Sequence, residues 1–256
     1  MIKGVLLDIG GVLYEGSEPI PGAKEALEEL KSHYVIRFLS NTSRIPPSKL
    51  LEKLAKMGFE VEEEELFTAL SAAKLFLQNE KAKAYVIATD EAKEYFKDLQ
   101  GELRYVLVCD AYTNFTYQAL NHGFRYLEEG AGFLATNINR YFKDTDGLSL
   151  DAGGFVKCLE YASSKSAKVL GKPNCEFFNL AIQSMGLQKS EVVMVGDDIE
   201  SDILGAKSCW LKTVMVKTGK FKPQDLQKGK PDYLIESVAQ LPKLLDTINE
   251  KPFYKK

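Results

Sequence analysis

Four short polar stretches in this chain each follow an apolar run, and together they hold the residue types that phosphate chemistry needs. Asp8 and Gly10 come after "GVLL", Ser40 and Asn41 after "YVIRFL", Lys172 after "KVLG", and Asp197 with Asp198 after "VVMVG". Paired carboxylates suit a divalent cation, a lysine with hydroxyl and amide donors suits a phosphoryl group, and the amides of a glycine loop can face an anion. That combination is an inventory for phosphoryl transfer. Ligands of open parallel sheets collect beyond the carboxyl ends of strands, which is the reason to read the four stretches together. Each residue also has a plainer reading. Asp8 can cap the turn after a buried strand, Asn41 can form a turn ahead of "TSRIPP", and Lys172 before a proline can be a solvated loop lysine.

The elements that must carry these residues alternate. A strand from Lys3 leads through the glycine loop into a helix predicted from Pro21 through His33, with Ala23, Ala26, Leu27 and Leu30 at helical spacing. The strand "YVIRFLSN" follows, then an amphipathic helix over Ser48 to Gly58. The acidic run "EVEEEEL" reads as a solvated helix start. Further strands are predicted at "AYVIATD", "YVLVCDA", "GFLATN", "VVMVGDD", "TVMVKTG" and "DYLI", with helices at "TYQALNHGFRYLEEG", through Gly186, through Trp210 and at the carboxyl end. Strand and helix in turn argue for a parallel sheet covered on both faces, an α/β fold. The last residues, "KPFYKK", read as a frayed tail.

Composition narrows the partners. With a net charge of -3 and no polybasic run, the chain lacks the electrostatic footprint of a nucleic-acid binder. No apolar stretch approaches a membrane span or a signal-peptide core, which predicts a cytoplasmic protein with no membrane partner. Cys109, Cys158, Cys175 and Cys209 are dispersed without a C-x-x-C pair, so ordinary buried thiols are expected. His33 and His122 lack ligand spacing to one another and read as structural or surface residues.

In order and context the polar stretches resemble the haloacid dehalogenase (HAD) superfamily, whose phosphatases form an aspartyl-phosphate before water releases phosphate. The first motif matches "DIGGVL", the second "LSN", the third "GKP" at Gly171 to Pro173, and the fourth "GDDIESD" at Gly196 to Asp202. The resemblance implies a Rossmann-like parallel sheet core formed by residues 1–70 and 167–256, with a smaller α/β cap domain inserted at Ser71 to Ser166. It implies Asp8 as nucleophile, and Mg²⁺ held by Asp8, the Gly10 carbonyl and Asp197, with Asp202 in support. Lys172 would neutralise phosphate charge and restrain Asp8, while Ser40 and Asn41 would hydrogen-bond the phosphoryl oxygens. Taken alone, Asp202 could instead favour a helix N-terminus. "ATNINRYF" resembles a cap segment near the active site, so Asn137 and Arg140 are specificity candidates; a polar loop after a strand is the alternative. Pairing of two copies through the cap is also implied.

One departure shapes the expected substrate. The phosphatase pattern has a second aspartate two residues after the nucleophile, acting as general acid and base; here that position is Gly10. General acid catalysis contributes about 10²–10⁴-fold, so alkyl phosphates should turn over slowly. Small phosphorylated substrates with good leaving groups are expected instead: pyrophosphate, phosphohistidine, phospholysine and aryl phosphates, with phosphorylated side chains among them. The branch of phospholysine phosphohistidine inorganic pyrophosphate phosphatases shares the missing aspartate, and the likeness runs through "TYQALNHGFRYL", "GLSLDAGGFVKCLEYAS" and "VKTGKF". Two rivals stand beside it. "DIGG" also resembles the phosphate loop of actin-like ATPases and sugar kinases, in which "GKP" and "GDDIESD" have no ready role. A chain without the acid could also bind a phosphoryl ligand and Mg²⁺ without turnover.

Overall fold

The structure is a computed structural model that describes residues 1–144 and 147–250. It forms two compact units: residues Met1–Leu39, Leu54–Leu66 and the chain from Phe178 onward make the first, and Ser40–Lys53 with Phe67–Phe177 the second. Both are parallel α/β units, as strand and helix alternation requires.

In the first unit the central strand is Gly4–Asp8, buried at every residue. It pairs in parallel with Val192–Gly196 on one side and Val35–Ser40 on the other. Beyond Val192–Gly196 lie Lys212–Val216 and then Tyr233–Ile235, also parallel, and the short strand Leu66–Thr68 closes the opposite edge. Unbroken apolar runs such as "VVMV" fit strands buried on both faces. The helix Ala23–His33 buries Ala23, Ala26, Leu27 and Leu30, the stripe that spacing predicted. A small hairpin, Tyr14–Glu15 with Glu18–Pro19, follows the glycine loop and was not expected.

The second unit has four parallel strands in the order Lys168–Val169, Gly132–Ala135, Glu102–Val108 and Ala82–Ile87. Helices Ala69–Asn79, Tyr117–Glu128 and Ala152–Ser163 accompany them. Thr68 and Thr116 start the first two by accepting the amides of Ser71 and Ala119. His122 lies in the helix Tyr117–Glu128 against the Tyr85 ring, and His33 in the last turn of its own helix.

Three expectations are corrected. "EVEEEEL" does not open a helix: a single 3-10 turn, Glu63–Glu65, leads into the strand Leu66–Thr68, because sheet pairing outweighs local charge preference. The helix through Trp210 ends earlier. Its first part, Ile199–Leu204, is a wide i→i+5 turn, Gly205–Ser208 completes it, and Trp210 sits beyond at a φ of 66°. The four cysteines are not uniform buried thiols. Cys109 is a buried and Cys158 an exposed free cysteine, whereas Cys175 and Cys209 are disulfide-bonded; spacing along the chain says nothing of which sulfurs a fold brings to bonding distance. Among the described residues no helix is long and apolar enough to cross a membrane. The tail "KPFYKK" lies outside the described residues.

Candidate active site

Asp8 and Asp197 reach one sheet edge because their strands are parallel neighbours in register. Leu7 pairs with Val195, so Asp8, the last residue of its strand, ends level with Gly196, after which Asp197 emerges. Asp202 returns to the same place on the turn that Asp198 begins. Asp198 Oδ1 accepts the amides of Glu200 and Ser201 at 2.9 and 3.1 Å, and Asp202 Oδ2 accepts the Asp198 amide at 3.1 Å. One carboxylate oxygen from each of Asp8, Asp197 and Asp202 lies within 4.8 Å of the others, and all three side chains are buried.

Glycines make that convergence possible. Gly11 and Gly219 both have positive φ, 81° and 68°, and a Cβ built on either would approach Asp197 Cγ to 2.7 or 2.8 Å. A Cβ on Gly196 would collide with the Asp202 carboxyl. Gly10 differs from its neighbour: a Cβ there would meet nothing within 4 Å.

The cluster is electrostatically loaded. Burial, then the charge of Asp8, then that of Asp202, push the Asp197 carboxyl well above the ordinary carboxylate range. Two like charges at such spacing repel by roughly 3 kcal/mol at an effective dielectric of 20. Lys220 opposes this. Burial alone would lower its ammonium, but the charges of Asp198, Asp197 and Asp202 and the hydrogen bond to Asp198 raise it instead. For Asp198, burial would raise the carboxyl; the Lys220 charge and the helical-turn amides outweigh it and hold it below its ordinary value. The Tyr14 phenol is pushed up to about 12, by burial first and the Asp8 charge second, so it stays protonated.

The sequence showed "VKTGKF" as part of the family likeness but gave none of its residues a place in the site. Thr218 Oγ1 donates to the Gly11 carbonyl at 2.6 Å, the Gly219 amide to Glu15 Oε1 at 2.5 Å, and the Lys220 amide to Asp197 Oδ2 at 2.7 Å. A signal was present. "TVMVKTG" read as a strand, and the rule that directed attention to residues beyond strand ends applies equally after Val216.

In the second unit Ser40, Asn41, Asn137 and Lys172 were singled out, and three of them interlock. Asn41 Oδ1 accepts the Lys172 amide at 2.8 Å, and Asn41 Nδ2 donates to the Lys172 carbonyl at 2.9 Å. Asn137 Nδ2 donates to the Asn41 carbonyl at 3.3 Å, and Ser40 Oγ accepts the Thr42 amide at 3.1 Å. Gly171 permits the approach: a Cβ there would lie 2.6 Å from Asn41 Oδ1 and 2.5 Å from the Thr136 carbonyl. Lys172 is 2 % exposed, so it is not a solvated loop lysine, and Asn137 is equally buried. Arg140, three residues further on, is exposed, and its backbone carbonyl accepts the Asp151 amide at 3.2 Å.

The donor chemistry of Asp8, Asp197 and Asp202 fits Mg²⁺. All three supply hard carboxylate oxygens, and the glycine cradle clears the space in which they converge. Asp202 belongs to this cluster and is not merely a helix-capping residue.

Comparison with known proteins follows the same lines. A haloacid dehalogenase-like hydrolase model matches residues 5–102, and a HAD-hydrolase-like model matches residues 169–241. The human haloacid dehalogenase-like hydrolase domain-containing protein 2 is 39% identical over 236 residues, 91% of this chain and 91% of that protein. The human phospholysine phosphohistidine inorganic pyrophosphate phosphatase is 36% identical over 254 residues, 95% of this chain and 94% of its own length. Among solved structures, the p-nitrophenyl phosphatase from Archaeoglobus fulgidus superposes with a TM-score of 0.87 at 28% identity, covering 95% of this chain and 99% of that one.

Proposed function

The chain belongs to the haloacid dehalogenase-like hydrolases and is a phosphohydrolase, and from that premise we propose that it is a Mg²⁺-dependent phosphatase with Asp8 as nucleophile and a preference for good leaving groups. The observation that carries this reading is the convergence of Asp8, Asp197 and Asp202 within 4.8 Å beside a Gly10 that offers no acid.

Asp8 attacks phosphorus in line, the bond to the leaving group breaks, and the resulting aspartyl-phosphate is hydrolysed by water. Asp8, Asp197 and Asp202, with the Gly10 carbonyl, would hold Mg²⁺, which neutralises charge on the phosphoryl oxygens. Lys172 supplies a fixed positive charge for phosphate, and Ser40 and Asn41 serve its oxygens through hydrogen bonds, Asn41 with the Nδ2 hydrogen beyond the one that its carboxamide gives the Lys172 carbonyl. Residues 71–166 are assigned as the inserted cap, in which Asn137 and Arg140 select the substrate. Because Gly10 cannot donate a proton, the leaving group must depart unaided. Pyrophosphate, phosphohistidine, phospholysine and aryl phosphates meet that condition; sugar phosphates do not. A relative named for the first three compounds, similar over 95% of this chain, supports the choice. The actin-like reading of "DIGG" is set aside, since the family models take in both ends of the chain.

The test is Mg²⁺-dependent phosphate release from these four substrates and several sugar phosphates, with Asp8→Asn as control. Turnover confined to the good leaving groups and lost in the variant is expected. A sugar phosphate with the highest kcat/KM overturns the leaving-group argument, and turnover surviving in Asp8→Asn overturns the nucleophile.

A further inference from the structure

Resting on the reading that Asp8, Asp197 and Asp202 hold a divalent cation, we propose that Thr218–Lys220 is a positioning loop whose Lys220 ammonium is the built-in counter-charge of the acidic cluster and tunes its affinity for the cation.

Three consecutive residues of this loop bind three separate parts of the site. Thr218 holds the nucleophile loop through the Gly11 carbonyl at 2.6 Å, Gly219 holds the hairpin through Glu15 at 2.5 Å, and the Lys220 amide holds Asp197 at 2.7 Å. The positive φ of Gly219 turns the chain so that its amide and the next point to different partners. The Lys220 side chain then runs to Asp198, Nζ to Oδ2 at 3.2 Å, with only about a quarter of its surface exposed. Asp198 in turn donates its amide to Asp202 Oδ2 at 3.1 Å. One residue therefore reaches Asp197 through its backbone and, through Asp198, the segment that orients Asp202.

The consequence is electrostatic competition. Without a cation, the fixed ammonium offsets repulsion among carboxylates that burial shields from water. With a cation bound, the same ammonium repels it. A unit charge several ångströms from a divalent ion weakens its binding by about tenfold even at the dielectric of water, and by more in a partly buried site. Lys220 thus keeps the site assembled when empty and loosens its hold on the ion when full.

The experiment measures Mg²⁺ affinity by calorimetry and Tm with and without Mg²⁺ for the unchanged protein and for Lys220→Met, Lys220→Gln and Lys220→Arg. Both neutral variants are expected to bind Mg²⁺ at least about tenfold tighter. Their metal-free Tm should fall by several degrees, and Mg²⁺ should raise it more than in the unchanged protein. Lys220→Arg, which keeps the charge, should retain the original affinity. Lys220→Gln can hydrogen-bond Asp198 without charge, so it separates charge from packing if the methionine variant folds poorly. Unchanged or weaker affinity in the neutral variants overturns the counter-charge, as does an arginine variant that matches them. Absence of Mg²⁺ binding by the unchanged protein overturns the cation-site reading on which the proposal stands.

Discussion

Gly219 lies so close to Gly11 that a Cβ on it would sit 2.6 Å from the Gly11 Cα and 2.8 Å from Asp197 Cγ. Both glycines are in the left-handed region, which costs a residue with a side chain about 1–2 kcal/mol. Gly219→Ala therefore carries strain and pushes Asp197 out of place. A displacement near 1 Å can cost about 10²-fold in rate. We expect kcat/KM to fall by at least about that factor, with a smaller Mg²⁺-induced rise in Tm; near-normal kinetics would show that the cradle tolerates a methyl group.

Gly10 gives the opposite expectation. It is exposed, its φ is ordinary and a Cβ there meets nothing within 4 Å, so Gly10→Asp should fold with its Tm nearly unchanged. On the proposed reading, its new carboxyl restores the acid that the phosphatase pattern has two residues after the nucleophile. Sugar-phosphate kcat/KM should rise by about 10–100-fold, the lower part of what a general acid contributes, while pyrophosphate turnover changes little. No gain on sugar phosphates would mean that leaving-group protonation is not what limits them.

Stability should respond to pH through Asp197. Its carboxyl is raised in the folded chain, so the folded protein holds a proton that the unfolded chain, near the ordinary value of 3.8, has already released. That contribution is present at low pH and is lost as pH rises through the raised value. Metal-free protein should gain Tm as pH falls from neutrality toward mildly acidic values, against the usual carboxylate trend. Added Mg²⁺, which favours the ionised form, should reverse the slope, and scanning calorimetry across pH with chelator or Mg²⁺ reads both.

Asn41 spends both ends of its carboxamide on the backbone of Lys172, at 2.8 and 2.9 Å. Its removal would leave a buried amide and a buried carbonyl without those partners. Asn41→Ala should cost about 1–3 kcal/mol in stability and raise KM for every phosphorylated substrate alike. Asn41→Asp keeps the acceptor for the Lys172 amide but loses the donor, so it should fall between the two. Equal KM for all three proteins would separate Asn41 from the phosphate-binding role proposed for Lys172.

Much of the fold was legible because strand and helix periodicities are local. "VVMV" could be little else than a buried strand, and Ala23, Ala26, Leu27 and Leu30 form the buried stripe that their spacing implied. The acidic run at Glu62 to Glu65 misled, since its neighbour Leu66 joins a sheet edge and no run of charges records that pairing. Cys175 and Cys209 misled for a related reason: the residues around a cysteine leave no mark of whether its sulfur is bonded.

The site divides in the same way. Residue types at strand ends announced phosphate chemistry at Asp8, Asn41, Lys172 and Asp197, because a polar residue closing an apolar run is visible in a few letters. Thr218, Gly219 and Lys220 were not visible as site residues, since Thr218 finds its partner at Gly11, 207 positions away. Sequence by itself determined the parallel α/β architecture and the inventory of reactive groups, which follow from side-chain chemistry and from periods of two and 3.6 residues. Only the tertiary structure decided that three carboxylates converge within 4.8 Å, that glycines make room for them and that Lys220 offsets their charge. Those facts depend on the register of parallel strands and on contacts between distant segments, which no local pattern encodes.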